Sequence, residues 1–158
     1  DFRYKLRTPA KLSAGASYFI GGNGFISADV DFVDYASMKF SSSDNLFAED
    51  IAANNRDGKD NYQSAVNYRL GGEYRIDNLT LRAGYGLQGN PYRNIENEIT
   101  TISGGIGYRF SNFYLDMSYQ NVNFDTDVAP YPVRTAEQTY ASVEKKRNNV
   151  FLTLGARF

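Results

Sequence analysis

The stretch Val66-Asn-Tyr-Arg-Leu-Gly-Gly-Glu-Tyr-Arg-Ile-Asp-Asn-Leu-Thr-Leu-Arg-Ala-Gly-Tyr-Gly-Leu-Gln88 decides the fold. Val66, Tyr68, Leu70, Tyr74 and Ile76 alternate with Asn67, Arg69, Gly71, Glu73 and Arg75. After Asp77-Asn78, Leu79, Leu81, Ala83, Tyr85 and Leu87 alternate with Thr80, Arg82, Gly84, Gly86 and Gln88. A period of two is the signature of a strand and not of a helix. Asp and Asn tolerate the positive φ of a tight hairpin turn, so these are two long antiparallel strands joined by two residues.

The same alternation runs through the rest of the chain. From Phe2 to Ile20 the even positions are mostly apolar and the odd ones polar or small, a first strand with Pro9 marking a bulge or an edge. Ile26, Ala28, Val30 and Phe32 oppose Ser27, Asp29 and Asp31. Ile102, Ile106, Tyr108 and Phe110 oppose Ser103, Gly105, Gly107 and Arg109. Phe113, Leu115, Met117 and Tyr119 oppose Tyr114, Asp116, Ser118 and Gln120. Val150, Leu152, Leu154, Ala156 and Phe158 oppose Thr153, Gly155 and Arg157. Seven strands of about 10 residues or more result, the length that a tilted strand needs to cross a bilayer. Glycines mixed with Arg, Asp and Glu on the polar face suit a crowded, hydrated lumen rather than a face in bulk water. The expected fold is therefore all-β, a transmembrane antiparallel up-and-down β-barrel, weighed against a soluble β-sandwich with one wet face.

Composition narrows function. No apolar run in the 158 residues approaches the ~20 needed for a membrane helix. Cys and His are both absent. That removes disulfides, Cys/His zinc sites and His-based nucleophile systems. Without them, no catalytic, cofactor or metal constellation stands out, and an enzyme is not expected. A net charge of −1 argues against a nucleic-acid partner. No charged-then-apolar leader opens the stretch at Asp1, so a secretion signal is expected to lie upstream or to have been removed.

Three connections are short: Gly21-Gly22-Asn23-Gly24, Asp77-Asn78 and Ser111-Asn112. Three are long: about Ser41–Gln63, Gly89–Thr100 and Asn123–Asn148. This asymmetry matches an outer-membrane barrel with periplasmic turns, extracellular loops and a periplasmic C-terminus. Tyr18, Phe25, Tyr74, Phe110, Phe113 and Phe158 cluster toward the turns. Phe40, Tyr62, Tyr92 and Phe124 lie toward the loops, and the two sets predict aromatic girdles. Seven is an odd number, whereas single-chain bacterial barrels have even counts. Residues 1–158 are therefore expected to be the C-terminal portion of one larger barrel, with a missing N-terminal half as partner. An eighth strand around Thr139–Val143 is disfavoured by the charges of Glu144–Arg147. Asp44–Ala53 suggests a short amphipathic helix that packs Leu46, Phe47 and Ile51 over the barrel mouth.

Leu6-Arg-Thr-Pro-Ala-Lys-Leu12, Gly24-Phe-Ile-Ser-Ala-Asp-Val-Asp-Phe-Val-Asp-Tyr35, Tyr68-Arg-Leu-Gly-Gly-Glu-Tyr-Arg75, Leu81-Arg-Ala-Gly-Tyr85, Asn90-Pro-Tyr92 and Gly105-Ile-Gly-Tyr-Arg-Phe110 occur in this order. In that order they resemble the FadL/TodX family of outer-membrane transporters, its Bacteroidetes members in particular. The resemblance implies a fourteen-stranded barrel, an N-terminal hatch, and passive uptake of hydrophobic small molecules such as long-chain fatty acids. It also implies that the ligand path lies in the N-terminal half, so no ligand-binding residue carries over. Related barrels in protein secretion supply the alternative, a structural or secretion-associated barrel that docks partners through its long loops.

Gly84-Tyr-Gly-Leu-Gln-Gly89 matches a dinucleotide fingerprint, but Asn90-Pro91 prevents the helix such a site requires. Asp57-Gly-Lys-Asp60 lacks the ligand spacing of a calcium loop. Asn78-Leu-Thr80 is a sequon in form but reads as hairpin structure. On the polar face, Arg3, Lys5, Arg7, Lys11, Arg69, Arg75, Arg82, Arg109 and Arg157 face Asp29, Asp31, Glu73 and Asp116. They form either a set of mutually paired charges or a basic strip for anionic head groups with Arg3, Lys5 and Arg7 at its entrance. Val150, Leu152, Leu154, Ala156 and Phe158 resemble the signal read by the outer-membrane insertion machinery. Membrane lipid, that machinery and a hydrophobic ligand are the other expected partners.

Overall fold

The computed structural model describes residues 3–42, 47–94, 97–128 and 141–156. Its elements are β1 (Lys5–Arg7), β2 (Ala10–Ile20), β3 (Gly24–Asp34), β4 (Lys39–Ser41), α1 (Ala48–Asn61), β5 (Ser64–Ile76), β6 (Leu79–Gln88), β7 (Ile99–Arg109), β8 (Phe113–Val128) and β9 (Ala141–Ala156). A 3-10 turn, Tyr35–Ser37, sits between β3 and β4. Seven strands form one antiparallel sheet in the order β2-β3-β5-β6-β7-β8-β9, each paired with its neighbour in sequence along the sheet. The two-residue turn after β5 and the glycine turn after β2 hold the expected positive φ, +53° at Asp77 and +58° at Gly21. Among the described residues, no helix is long and apolar enough to cross a membrane.

Side-chain burial is inverted relative to a water-soluble domain. Leu12, Leu152 and Leu154 are 73%, 72% and 73% exposed, whereas the carboxylate residue Asp31 is 2% exposed. Val33 and Ala65 are the buried apolar residues of the described chain, and they are register partners on β3 and β5. Among the described residues, the sheet has an apolar face and a polar face and no second layer packed on the apolar one.

The first strand does not run unbroken from Phe2 to Ile20. Pro9 carries no N–H for a ladder, and the chain steps off the sheet there. β1 pairs instead with β4, Leu6 opposite Phe40, in a separate two-stranded ribbon. The N–H of Ala10 donates to Ser37 Oγ at 2.9 Å, which sets where the main sheet begins. Arg3, Lys5 and Arg7 are therefore not on the polar face of the sheet, contrary to their expected place in the strip.

The last connection is also shorter than expected. β8 continues to Val128 and β9 begins at Ala141, so only 129–140 lies between them. The charged run Glu144–Arg147 is strand, with Phe124 opposite Lys145 and Asp125 opposite Glu144. Ala141–Val143 opens β9 and is not an eighth strand, while Thr139 and Tyr140 lie outside the described residues. The β8–β9 ladder runs past β7, whose first residue Ile99 pairs with Phe124, so Asp125 and Glu144 stand beyond β7 while Lys145, Lys146 and Arg147 lie level with its first residues.

The helix forms later and longer than Asp44–Ala53. Leu46 lies outside the described residues, and Phe47 immediately precedes α1. α1 packs beside β4 and the 3-10 turn. Asn55 fixes it by accepting from the Phe40 N–H at 2.7 Å and donating to the Phe40 carbonyl at 2.9 Å. At its C-terminal end, Arg93 Nε donates to the carbonyls of Lys59 and Tyr62 at 3.2 and 2.9 Å. A cation at the last carbonyls of a helix satisfies orphan acceptors and suits the helix dipole. Replacing Asn55 with Ala is expected to raise amide hydrogen exchange at Phe40 and leave the amides of β5 and β6 unchanged. Equal exchange at Phe40 in both proteins would show that α1 is held by other contacts.

Candidate functional site

The polar face carries the charged side chains, and register decides which of them meet. Asp29 and Asp31 on β3 lie opposite Arg69 and Asn67 on β5, and Ser13 on β2 lies opposite Asp31. Asp31 Oδ2 takes Lys11 Nζ at 3.1 Å and Arg69 Nη2 at 2.8 Å. One buried carboxylate thus ties three neighbouring strands. Burial of an ion is tolerated only with such pairing.

A second chain of charges lies nearer the turns. Glu73 Oε1 receives Arg75 Nη2 at 2.7 Å, and Glu73 Oε2 receives Arg82 Nε at 2.7 Å. Arg82 Nη1 then reaches Asp116 Oδ1 at 2.6 Å. Arg82 stands on β6 and Asp116 on β8, with β7 between them. β7 places Gly105 opposite Arg82 and Gly107 opposite Asp116. A Cβ at Gly107 would collide with the Asp116 carboxylate and lie 3.3 Å from Arg82 Nη1. The missing side chain at Gly107 is what lets the guanidinium cross. Gly15 under the Asp29 carboxylate and Gly155 under the Tyr114 ring are used the same way, the latter an aromatic covering a strand glycine.

The expected basic strip is thus mostly neutralised. Lys11, Arg69, Arg75 and Arg82 are paired to carboxylates, and Arg109 has no carboxylate partner among the described residues. Arg157 and Phe158 lie outside the described residues. Of the expected insertion row, Val150, Leu152 and Leu154 project from the apolar face opposite Tyr119, Met117 and Leu115, and Ala156 sits opposite Phe113. Of the aromatic sets, Phe25 and Phe124 fall on the polar face: Phe25 opposes Glu73, and Lys145 Nζ lies 5.6 Å from the centroid of the Phe124 ring. Their position in the strand's alternation, not their height along it, decides this.

Two further constellations were not anticipated. The apolar face turns polar above the Tyr119–Val150 pair, where Asn148 Oδ1 accepts from Tyr119 Oη at 2.8 Å and from Asn121 Nδ2 at 2.7 Å. The other joins two loops. Tyr62 and Tyr92 form a bridge with ring centroids 5.2 Å apart, and Gln63 Nε2 donates to the carbonyls of Asn90 and Tyr92 at 3.1 and 2.8 Å. Burial, with Tyr92 alongside, holds the Tyr62 hydroxyl above its ordinary pKa. Asn-Pro-Tyr at 90–92 was the signal that could have pointed there. A hollow of about 920 Å³ crosses β2, β3, β5, β6 and β7 at mid-sheet, with Ser17, Ser27, Gly71 and Gly84 in its lining beside Tyr18 and Ile26.

Compared with protein families, curated proteins and solved structures, the chain matches none.

Asp31→Asn leaves Lys11 and Arg69 without their shared anion and is expected to destabilise the sheet by about 1–3 kcal/mol. Lys11→Gln, which leaves Arg69 to pair Asp31, is expected to cost less than about 1 kcal/mol. Urea unfolding followed by tyrosine fluorescence measures both, and an equal cost for the two variants would refute the central role of Asp31.

Proposed function

We propose that this chain forms part of an outer-membrane β-barrel for the passive uptake of hydrophobic small molecules of the long-chain fatty-acid kind. The observation that carries the reading is the inverted burial, with Leu12, Leu152 and Leu154 more than two-thirds exposed on one face and Asp31 buried on the other. A continuous apolar face this large on a water-soluble monomer is a liability. Against lipid it is the stable arrangement, with polar side chains turned to a lumen.

Dimensions support the same reading. Leu12 to Ile20 on β2 covers roughly 27 Å along the strand at about 3.3 Å per residue. A tilt of about 40° brings its height to roughly 20 Å, close to the ~25 Å apolar band of an outer-membrane barrel. The polar girdle of Asn121 and Asn148 marks where such a band would end on β8 and β9. Sheet order supports a larger assembly. β2 and β9 occupy the two edges of a seven-stranded antiparallel sheet, so they run parallel to one another. Antiparallel closure then requires an odd number of further strands, and seven more makes the fourteen that the family resemblance implies. The mid-sheet hollow of about 920 Å³ is of the size that takes a small apolar ligand.

A second reading, a barrel that docks envelope proteins through its loops, draws on the β8–β9 ribbon beyond β7 and on the hydrogen-bonded loop layer around Gln63. Co-purification of a stoichiometric partner that is lost on removing residues 126–143 would favour it over transport.

Uptake of labelled oleate into cells carrying the full-length protein is expected to exceed that of cells lacking it; equal uptake would overturn the transport reading. Face assignment is tested separately. Leu152→Arg places a charge on the lipid face, with a penalty of about 2–4 kcal/mol near mid-depth that falls toward the rim. It is expected to reduce the heat-modifiable, folded protein in outer membranes. Thr153→Asn, on the wet face opposite Asp116, is expected to leave it unchanged, and equal damage from both would show that the faces are reversed.

A further inference from the structure

Among the described residues, the turn-side half of the polar face has an uneven charge inventory. Arg75, Arg82 and Arg109 meet Glu73 and Asp116. Glu73 is held by Arg75 and Arg82, and Asp116 is held by Arg82. Both carboxylates are committed, and the excess positive charge resides on Arg109. The geometry keeps that guanidinium open. Tyr114, its register partner on β8, lays its ring over Gly155 on β9, on the side away from β7. Arg109 therefore borders two adjoining hollows. One, of about 270 Å³, is polar, with Thr80, Arg82 and Asp116 in its wall. The other, of about 320 Å³, wraps the β7–β8 turn, with Ser111 and Asn112 in its wall beside Phe110 and Phe113 from the edge of the apolar face; the two rings stack at 4.3 Å between centroids.

We infer that Arg109 is a carboxylate-binding subsite at the turn end of the polar face, taking the head group of an amphiphilic carboxylate. The argument joins an uncompensated guanidinium to a polar space for the carboxylate and an aromatic space for the first carbons of the tail. A guanidinium offers a planar pair of donors matched to a carboxylate. The inference rests on the transport reading and adds to it the residue that holds the carboxylate and the end of the lumen at which it is held. It also departs from the expected entrance strip, because Arg3, Lys5 and Arg7 are off the main sheet and Lys11, Arg69, Arg75 and Arg82 are paired.

The test uses the full-length protein in nanodiscs of zwitterionic lipid, with empty nanodiscs subtracted. Radiolabelled laurate and its methyl ester are the long probes. Butyrate, too short to partition into lipid, is followed by the carbon NMR line of its carboxylate. Arg109→Gln is expected to weaken laurate binding about tenfold, the scale of one lost charge-assisted hydrogen bond, and to leave the methyl ester unaffected. Arg109→Lys is expected to keep most laurate binding. Butyrate is expected to broaden with the wild type and not with Arg109→Gln. Heat-modifiability gels confirm that both variants are folded. Laurate and butyrate responses in Arg109→Gln equal to the wild type would overturn the subsite. If the wild type binds neither laurate nor its ester, the transport reading fails, and the butyrate comparison still decides Arg109 by itself.

Discussion

The Arg82 guanidinium reaches Asp116 by passing over β7, where Gly105 and Gly107 present only backbone. Much of the sheet's polar face depends on that crossing. Arg82 also holds Glu73, which holds Arg75, so β5, β6 and β8 are joined by one continuous run of alternating charges. The Asp31 centre performs the same task for β2, β3 and β5. A single-layer sheet has no opposing layer to clamp its strands. Backbone ladders set the spacing, and cross-strand ion pairs resist the sliding and splaying that ladders alone permit. Removing a member of such a pair leaves a charge uncompensated, which costs more than the pair contributes when intact.

The apolar face answers to a different constraint. Its leucines, isoleucines and tyrosines are exposed because nothing in the described chain covers them, and they are arranged in rows across strands. On β8 and β9 the rows end sharply at Asn121 and Asn148, where side-chain amides bond to each other and to Tyr119. The amide cluster directly above the apolar row marks where the face changes from apolar to polar. Beyond it, β8 and β9 continue as a ribbon with Asp125, Glu144 and Lys146 on one face and Lys145 and Arg147 on the other.

Beyond the loop ends of the strands, α1, Gln63 and Arg93 tie the first and second long connections together. Arg93 caps the C-terminus of α1, and Gln63 spans the carbonyls on either side of Pro91. The Tyr92 N–H donates to Asn90 Oδ1 within the turn, and the three carbonyls of Asn90, Pro91 and Tyr92 accept from Gln63 across the gap. The two loops therefore form one hydrogen-bonded layer rather than two independent excursions.

Strand positions, the two-residue turns and the assignment of faces were legible from residues 66–88 onward, because a period of two is written locally and every long strand obeys it. The glycines of the polar face were legible as signs of crowding, but their partners were not. Gly107 serves Asp116 and Arg82 through register across three strands, which no local pattern encodes. The same gap misplaced Arg3, Lys5 and Arg7: their alternation is correct for a strand, yet Pro9 and the Ala10–Ser37 hydrogen bond divert that strand to β4. Glu144–Arg147 read as loop because a run of charges carries no apolar alternation, whereas its strand is made by backbone pairing with Val122–Asp125. What the chain's pattern determined by itself is therefore which residues alternate and where the chain turns. Which charges are neutralised, and that Arg109 alone among the basic residues of the β2–β7 polar face has no carboxylate partner among the described residues, was decided by the pairing of distant strands, since ion pairs form between register neighbours and not sequence neighbours.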